Sequence, residues 1–142
     1  MKVKELMTRG VIQIRPEEPV AVAARTLTHY NIGALPVCGA DGSLRGLLTD
    51  RDIVTRCLAS ERNPGQTDVA QIMTGQVLTV GPDASTAEAA RLMGARQVRR
   101  LPVVENGKLI GMVSLGDLAS TFENNRAAGD ALSEISLNIS TR

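Results

Sequence analysis

The chain has 142 residues, the length of one domain or of two small interlocked halves. Hydrophobic residues make up 43% of it and charged residues 22%, a globular composition that excludes a disordered tail, a coiled coil and a large multidomain enzyme. The net charge is only +1, and Tyr30 and Phe122 are the only aromatic residues. Because nucleic-acid binders use a basic surface or several stacking rings, we expect no nucleic-acid partner.

No apolar stretch of the sequence approaches the roughly 18 residues of a membrane span. The N-terminus becomes polar at Lys2 and Lys4, which is too early for a signal peptide. We therefore expect a cytoplasmic protein with no membrane partner.

The sequence repeats itself after 66 residues and, past a one-residue deletion, after 65. Short stretches are identical in the two copies: Val3 and Val69, Met7-Thr8 and Met73-Thr74, Ala23-Ala24-Arg25 and Ala89-Ala90-Arg91, Leu35-Pro36-Val37 and Leu101-Pro102-Val103. Two copies of this length indicate a duplicated half-domain rather than a solenoid. We predict a first repeat over 1–60, a linker over 61–68 that contains a turn signal, a second repeat over 69–120 and a C-terminal extension over 121–142.

Each repeat opens with a predicted β-branched strand, Val11–Ile14 or Val77–Val80. A helix follows in both copies. In the first copy, Val20, Ala23, Ala24 and Leu27 form an apolar stripe, and Pro19 is expected at the first helical position. In the second copy, Ser85 and Glu88 have the spacing of a capping box.

The rest of each repeat predicts a hairpin and a second helix. A short strand at Leu-Pro-Val leads into an Asp-Gly or Asn-Gly turn, a strand over Leu44–Thr49 or Leu109–Ser114, and a helix from Asp50 or Leu115. The order β-α-β-β-α, twice, predicts an α/β (α+β) fold whose halves pack together, because about three strands cannot bury both sheet faces alone. In the extension, Ala131, Leu132 and Ile135 allow one or two helical turns, and we expect a frayed or partner-contacting segment.

The strongest chemical signal is a hydroxyl followed three residues later by an aspartate, Thr49 and Asp52 or Ser114 and Asp117. This spacing is typical of a helix capping box. The same geometry also suits a ligand, because a hydroxyl at a helix start favours a phosphate and a carboxylate one turn later can accept ribose hydroxyls. The two interpretations are compatible, since one side chain cannot serve every free amide at the helix start.

The second signal is a set of arginines present in one copy only. The stretch 89–104 contains no acidic residue and four arginines, Arg91, Arg96, Arg99 and Arg100. A solvated helix end accounts for Arg96. It accounts poorly for Arg99 and Arg100, which lie at a strand entry where the first copy has Gly33 and Ala34, and guanidinium groups match phosphate oxygens.

Catalytic patterns are absent from the sequence, since there is no Gly-x-Ser-x-Gly elbow, no P-loop and one histidine, His29. Two aspartates that repeat symmetrically favour two binding sites over an acid and a base with different pKa values. We therefore predict a binding protein rather than an enzyme. A metal or redox role for Cys38, Cys57 and His29 stays open as a minor alternative.

Two copies of Met-Thr, a β-branched strand, Leu-Pro-Val and the Gly-h-h-Thr/Ser-x-x-Asp motif resemble the tandem CBS domains of a Bateman module, over Val3 to Ala119. The stretches Ile32–Cys38 and Leu48–Val54 are most similar to small stand-alone actinobacterial members, including the mycobacterial hypoxia-response type. The resemblance implies two repeats packed about a pseudo-twofold axis with two clefts between them, and modules that commonly dimerise. In many members the clefts bind AMP, ADP, ATP, S-adenosylmethionine or NAD.

Carried over by position, the resemblance implies two sets of ligand-binding residues. One cleft would combine Thr49 and Asp52 with Thr74, Val77, Val98 and Arg100, and the other would combine Ser114 and Asp117 with Thr8, Val11, Ile32 and Ala34. Arg99 and Arg100 favour the first cleft for phosphates, whereas Gly33 and Ala34 leave the second without a local cation. Because such modules usually regulate an attached protein, this short chain is expected to signal to a partner in trans.

We therefore expect a regulatory module that needs no cofactor and senses an adenine nucleotide, most simply as a homodimer. The alternative is a scaffold dimer with empty clefts, which acts only through protein–protein contacts. In that case the Thr49–Asp52 and Ser114–Asp117 pairs would serve only as helix caps.

Overall fold

The computed structural model of the protein describes residues 1–120 and 125–140. The chain divides into a continuous unit, Ile12–Val77, and a discontinuous unit, Met1–Val11 with Leu78–Arg142. Each unit has its own hydrophobic core. The opening segment of each sequence repeat packs into the core of the other repeat, so Val3 is buried in the discontinuous unit and Val69 in the continuous unit. The compact units thus divide the chain differently from the predicted repeat boundaries.

The order helix–strand–strand–helix is the same in both units. The continuous unit contains α1 (Val20–Tyr30), β1 (Ala34–Cys38), β2 (Leu44–Thr49), α2 (Asp50–Asp52), a π-helical segment (Ile53–Leu58) that continues α2, and a 3-10 turn (Val69–Gln71). The discontinuous unit contains a 3-10 turn (Val3–Glu5), α3 (Thr86–Arg96), β3 (Arg100–Glu105), β4 (Lys108–Ser114), α4 (Leu115–Ala119) and α5 (Asn125–Ser140). This mixture of helices and small sheets confirms the predicted fold class.

Each unit is organised around one antiparallel hairpin, β1–β2 or β3–β4. The turn between β3 and β4 consists of Asn106 and Gly107, whose φ values of 55° and 78° are both positive, as a two-residue hairpin turn requires. Gly42 in the turn of the first hairpin also has a positive φ, 85°. Both predicted hairpins are therefore present, and β2 has the predicted bounds.

The two strands predicted at the start of the repeats are wrong as strands, because each shrinks to a single parallel bridge, Ile14 to Val37 and Val80 to Val103. Proline explains the first case. Ile14 donates to the carbonyl of Pro36 and accepts from the amide of Cys38, at 3.0 and 2.9 Å. The next parallel bonds in either direction would need an N–H on Pro36 or Pro16, which proline lacks.

The helix starts partly follow the predicted chemistry. Pro19 precedes α1 as its N-cap instead of occupying the first helical position. At α3, the Ser85 hydroxyl accepts from the Glu88 amide at 3.1 Å, as predicted. The reciprocal half of the capping box is missing, because the Glu88 carboxylate pairs with Arg91 at 2.6 Å, and this pairing lowers the pKa of Glu88.

The C-terminal extension differs most from its prediction. Residues 125–140 form one 16-residue helix, α5, rather than one or two turns. Its buried side chains, Ala128, Ala131 and Ile135, join the core of the discontinuous unit, and α5 packs against α3 and α4. Gly94 permits the close approach, since a Cβ there would lie 3.2 Å from the Ala131 Cα. Among the described helices, none is both long and apolar enough to span a membrane.

Candidate functional site

The Thr49–Asp52 pair forms a complete capping box at the junction of β2 and α2. The Thr49 hydroxyl accepts from the Asp52 amide at 3.0 Å, and Oδ2 of Asp52 accepts from the Thr49 amide at 2.9 Å. Both residues are half-buried. The pair thus fixes the start of α2.

The Ser114–Asp117 pair repeats this arrangement between β4 and α4. The Ser114 hydroxyl accepts from the Asp117 amide at 3.1 Å, and Oδ2 of Asp117 accepts from the Ser114 amide at 2.8 Å. The two units therefore share one frame around a hydroxyl and an aspartate.

The predicted Met-Thr loops lie along the second strand of each hairpin. In the continuous unit, Thr74 exchanges two backbone hydrogen bonds with Leu47, of 3.0 and 2.9 Å. A Cβ on Gly46 would lie 2.5 Å from the Thr74 carbonyl oxygen and 2.9 Å from Sδ of Met73, so only glycine admits the loop. Thr74 of the second sequence repeat is thus brought to the hairpin that ends in Thr49.

The same loop packing occurs in the discontinuous unit. Thr8 exchanges two backbone hydrogen bonds with Met112, of 2.8 and 3.0 Å. A Cβ on Gly111 would lie 2.8 Å from both the Thr8 carbonyl oxygen and Sδ of Met7. Thr8 is therefore brought to the hairpin that ends in Ser114.

Sequence reasoning missed Arg56, which connects the predicted residues of the continuous unit. Its Nε lies 3.8 Å from Oδ1 of Asp52, and its Nη1 donates to the Ile72 carbonyl at 3.1 Å and to the Thr74 hydroxyl at 3.4 Å. The position four residues after Asp52 on a helix was the available signal. The matching residue of the second repeat, Thr121, carries no charge and lies outside the described residues.

Arg99 and Arg100 lie beside Ser114 in the discontinuous unit. Arg100 is the direct partner of Ser114 in the β3–β4 register, and the Arg99 carbonyl accepts from the Leu115 amide at 2.8 Å. Both side chains are exposed and line a cavity of about 490 Å³ together with Ser114. Two guanidinium groups and a hydroxyl at one cavity suit a phosphate or another anion.

The opposite wall of this cavity comes from α5, which the sequence analysis did not place at a site. The lining residues of α5 are Asn125, Ala128, Gly129 and Leu132. They stand at helix positions i, i+3, i+4 and i+7 and so form one face of the helix. That periodicity was visible in the sequence, but the duplicated repeat gave no reason to connect it to Arg99.

The continuous unit has a different groove at the matching place. It has a volume of about 430 Å³ and lies between α1 and the π-helical segment, with Ile32, Asp50 and Val54 among its lining residues. An acidic side chain, Asp50, stands where the discontinuous unit has Leu115, and Ala34 faces Thr49 where Arg100 faces Ser114. This groove therefore has no arginine pair to hold an anion.

The remaining predicted residues lie at the ends of the units. Val77 ends the continuous unit and Val11 ends the first segment of the discontinuous unit, both half-buried, while Val98 is exposed just before β3. Within the units, Arg100 is thus brought to Ser114 and Ala34 to Thr49. The predicted sets that combine residues of the two units stay a prediction.

The residues of the metal or redox alternative do not form a cluster. Cys38 and Cys57 are free thiols with at most 1% exposure, and burial raises the pKa of Cys38. His29 is exposed and stacks edge-on against Tyr30. Within residues 1–120 and 125–140, no three His, Cys, Asp or Glu side chains come together to hold a metal ion.

Comparisons with known proteins agree with this architecture. The family model described as "CBS domain" matches residues 3–59 and 69–124. The CBS domain-containing protein YhcV of Bacillus subtilis is 42% identical over 134 residues, which cover 94% of both chains. Hypoxic response protein 1 of Mycobacterium tuberculosis is 36% identical over 116 residues, covering 82% of this chain and 81% of that protein.

Two solved structures share this fold. The crystal structure of Hypoxic Response Protein I with two coordinated zinc ions has a TM-score of 0.79 at 34% identity and covers 86% of this chain and 99% of that one. The crystal structure of CBSX2 in complex with AMP has a TM-score of 0.73 at 30% identity and covers 82% and 91%.

The duplicated hairpin, helix and hydroxyl–aspartate frame defines a tandem two-repeat module as the class of this protein. With both repeats matched by the family model, the chain belongs to the CBS-domain family. The predicted similarity to the mycobacterial hypoxia-response type is confirmed.

Proposed function

We propose that this chain is a regulatory module, rather than an enzyme, that binds an adenosine-containing nucleotide and signals to another protein in trans. The observation that carries the proposal is the cavity of about 490 Å³ at which Arg99, Arg100 and Ser114 meet. The AMP bound to CBSX2, a structural neighbour, supports an adenine nucleotide as the class of ligand.

In this proposal, Arg99 and Arg100 bind the phosphate of the nucleotide and the Ser114 hydroxyl donates to it. The half-buried Asp117 keeps Ser114 in place through the capping box. Because the ligand site and the start of α4 share Ser114, occupancy biases the position of α4. A nucleotide can shift such an equilibrium only by its different affinity for the two states.

A thermal-shift screen with AMP, ADP, ATP, NAD and S-adenosylmethionine tests the proposal. A ligand at about 100 times its Kd adds about 2.7 kcal/mol to the free energy of unfolding, a shift of several degrees in Tm for this chain length. We expect a shift with at least one adenylate, reduced in Arg100→Ala and retained in Arg96→Ala. Arg96 is the control because it is exposed and does not line the cavity. Unchanged Tm with all five compounds would contradict the proposal.

A scaffold function is the second candidate, because both capping boxes are complete without any ligand. It predicts that Asp117→Ala lowers the free energy of unfolding by about 1 kcal/mol and leaves Tm insensitive to every adenylate. Under nucleotide binding, the same variant loses both stability and the ligand-induced shift.

Both candidates include self-association, and we assign it to the outer face of α1 and the π-helical segment. Tyr30, Val54 and Leu58 are each at least half exposed there. The matching face of the discontinuous unit, formed by α3 and α4, is covered by α5 of the same chain. We propose that a second copy of this chain covers the exposed face, since α5 already covers the matching face of the discontinuous unit.

A further inference from the structure

We infer that α5 forms one wall of the nucleotide site and that an occupied site holds α5 in its docked position. The inference rests on the proposed function and adds to it the element that responds to the ligand. Neither sequence repeat contains a counterpart of α5, because it lies wholly within the extension after residue 120.

The first observation is that two adjacent faces of α5 make different contacts. Ala128, Ala131 and Ile135 are buried against the core of the discontinuous unit. The face made of Asn125, Ala128, Gly129 and Leu132 lines the cavity instead. Ala128 belongs to both faces, so a molecule in the cavity would touch the helix directly beside its packing contacts.

The second observation is the chemistry of the cavity, which differs from one side to the other. The hairpin side carries the positive charges of Arg99 and Arg100, while the α5 side is mostly apolar. Leu132, which is 42% exposed, contributes an apolar side chain to the cavity on that side. A ligand with an anionic group and a flat apolar group matches this division, as a nucleoside phosphate does.

The third observation concerns space at Gly129. A Cβ built on this residue meets no atom within 4 Å, so the helix presents bare backbone to the cavity at its middle. The cavity volume of about 490 Å³ lies within the range of small-molecule sites. A base plane could therefore lie against α5 between Ala128 and Leu132 without displacing a side chain.

A consequence for regulation follows from the way α5 is held. Two of its three buried side chains are alanines, which remove little apolar surface from water. Ligand atoms in contact with the cavity face add to this limited packing, so the docked state of α5 is favoured when the site is occupied. By linkage, a partner that binds undocked α5 would lower the affinity of the site for the nucleotide.

Gly129→Leu tests the inference with AMP as the probe, by calorimetric titration of the full chain. The added side chain enters open space, and leucine is a better helix former than glycine, so we expect the variant to fold. We expect its Kd for AMP to rise at least tenfold because the leucine occupies the volume of the base. Gly129→Ala, a smaller change, should raise the Kd less and serves as the second variant.

Ser133→Leu is the matched control, because Ser133 is exposed on the same helix and does not line the cavity. Hydrogen exchange of α5 amides, with and without AMP, supplies a second readout. We expect AMP to slow exchange in α5 of the wild type and of Ser133→Leu, but not of Gly129→Leu.

The outcomes separate the inference from the function on which it rests. If AMP binds the wild type and both Gly129 variants equally, or leaves α5 exchange unchanged, the inference is overturned and nucleotide binding stands. If no adenylate binds the wild type, both are overturned.

Discussion

Opposite the hydroxyl of the capping box, the discontinuous unit carries Arg100 and the continuous unit carries Ala34. One residue after the hydroxyl, the discontinuous unit has Leu115 and the continuous unit has Asp50. The helical face beside the site is covered by α5 in the discontinuous unit and exposed in the continuous unit. The duplication has thus kept the backbone frame in both copies, while charge and cover have diverged around it.

This comparison separates residues that hold the frame from residues that give each unit its chemistry. The frame consists of the glycine under the Met-Thr loop, the hairpin and the hydroxyl–aspartate pair, and it is duplicated with nearly equal geometry. The charged and apolar side chains that differ between the units lie at positions outside this frame. Equivalent substitutions in the frame should therefore have similar effects in the two units. Substitutions at the positions that differ should affect one unit only.

The largest effect is expected from the two frame glycines. Gly46→Ala and Gly111→Ala each place a Cβ within 2.8 Å of a carbonyl oxygen of the Met-Thr loop, which must then leave the strand. We expect each to lower the free energy of unfolding by about 2–4 kcal/mol, measured by urea denaturation. Gly75→Ala is the control, because nothing lies within 4 Å of its Cβ. A loss at only one of the two glycines would show that the frame is not shared.

The next effect concerns the ligand rather than stability. Removing both cations with Arg99→Ala and Arg100→Ala should weaken AMP binding by about 1.5–3 kcal/mol, or roughly tenfold to a hundredfold in Kd, because the phosphate loses charge-assisted hydrogen bonds. Both side chains are exposed, so the free energy of unfolding should change little. Equal affinity of the double variant and the wild type in calorimetry would rule out this cavity as the phosphate site.

A smaller difference separates the two aspartates. Asp52→Ala and Asp117→Ala each remove one half of a capping box, which should cost about 1 kcal/mol. Asp52→Ala also removes the partner of Arg56, which is about half exposed, and this pair should add at most about 0.5 kcal/mol. A double-mutant cycle of Asp52 and Arg56 measures the interaction energy of this pair. A coupling energy of zero would mean that Arg56 serves only Ile72 and Thr74.

The smallest effect on stability is expected at the uncovered helical face. Val54→Asp and Leu58→Asp change exposed side chains, so the free energy of unfolding should stay within about 0.5 kcal/mol of the wild type. Sedimentation velocity should nevertheless show a shift from dimer to monomer, because a carboxylate would be buried at the proposed contact. Leu137→Asp on the exposed side of α5 is the control. Unchanged association in both variants would place the self-contact elsewhere.

Local sequence patterns predicted the parts of the fold that depend on neighbouring residues. Asn106 and Gly107 determine their turn, and Thr49 with Asp52 determines the helix start, through contacts within a few residues. The strand at Ile14 failed because its length depends on prolines of two different segments, Pro16 and Pro36, that meet only in the folded unit. Periodicity of the segment alone could not show that conflict.

The sequence analysis named Arg99, Arg100 and Ser114, which line the cavity, but not the α5 residues that line it with them. The arginine signal at Arg99 and Arg100 came from comparing the two copies, and the resemblance then assigned Arg100 to the cleft of Thr49. In the β3–β4 register Arg100 lies opposite Ser114, and its assignment to the cleft of Thr49 stays a prediction. The α5 wall could not be inferred from the repeats, because the docking of a segment outside them depends on tertiary packing against Gly94 and its neighbours.

The stoichiometry of AMP binding tests the central claim, that Arg99 and Arg100 make the discontinuous unit the phosphate site. Calorimetric titration of the wild type and of Arg100→Ala measures it directly. We expect one AMP per chain, with an affinity that falls at least tenfold in the variant. Two equivalent sites per chain, or one site that Arg100→Ala leaves unchanged, would contradict it.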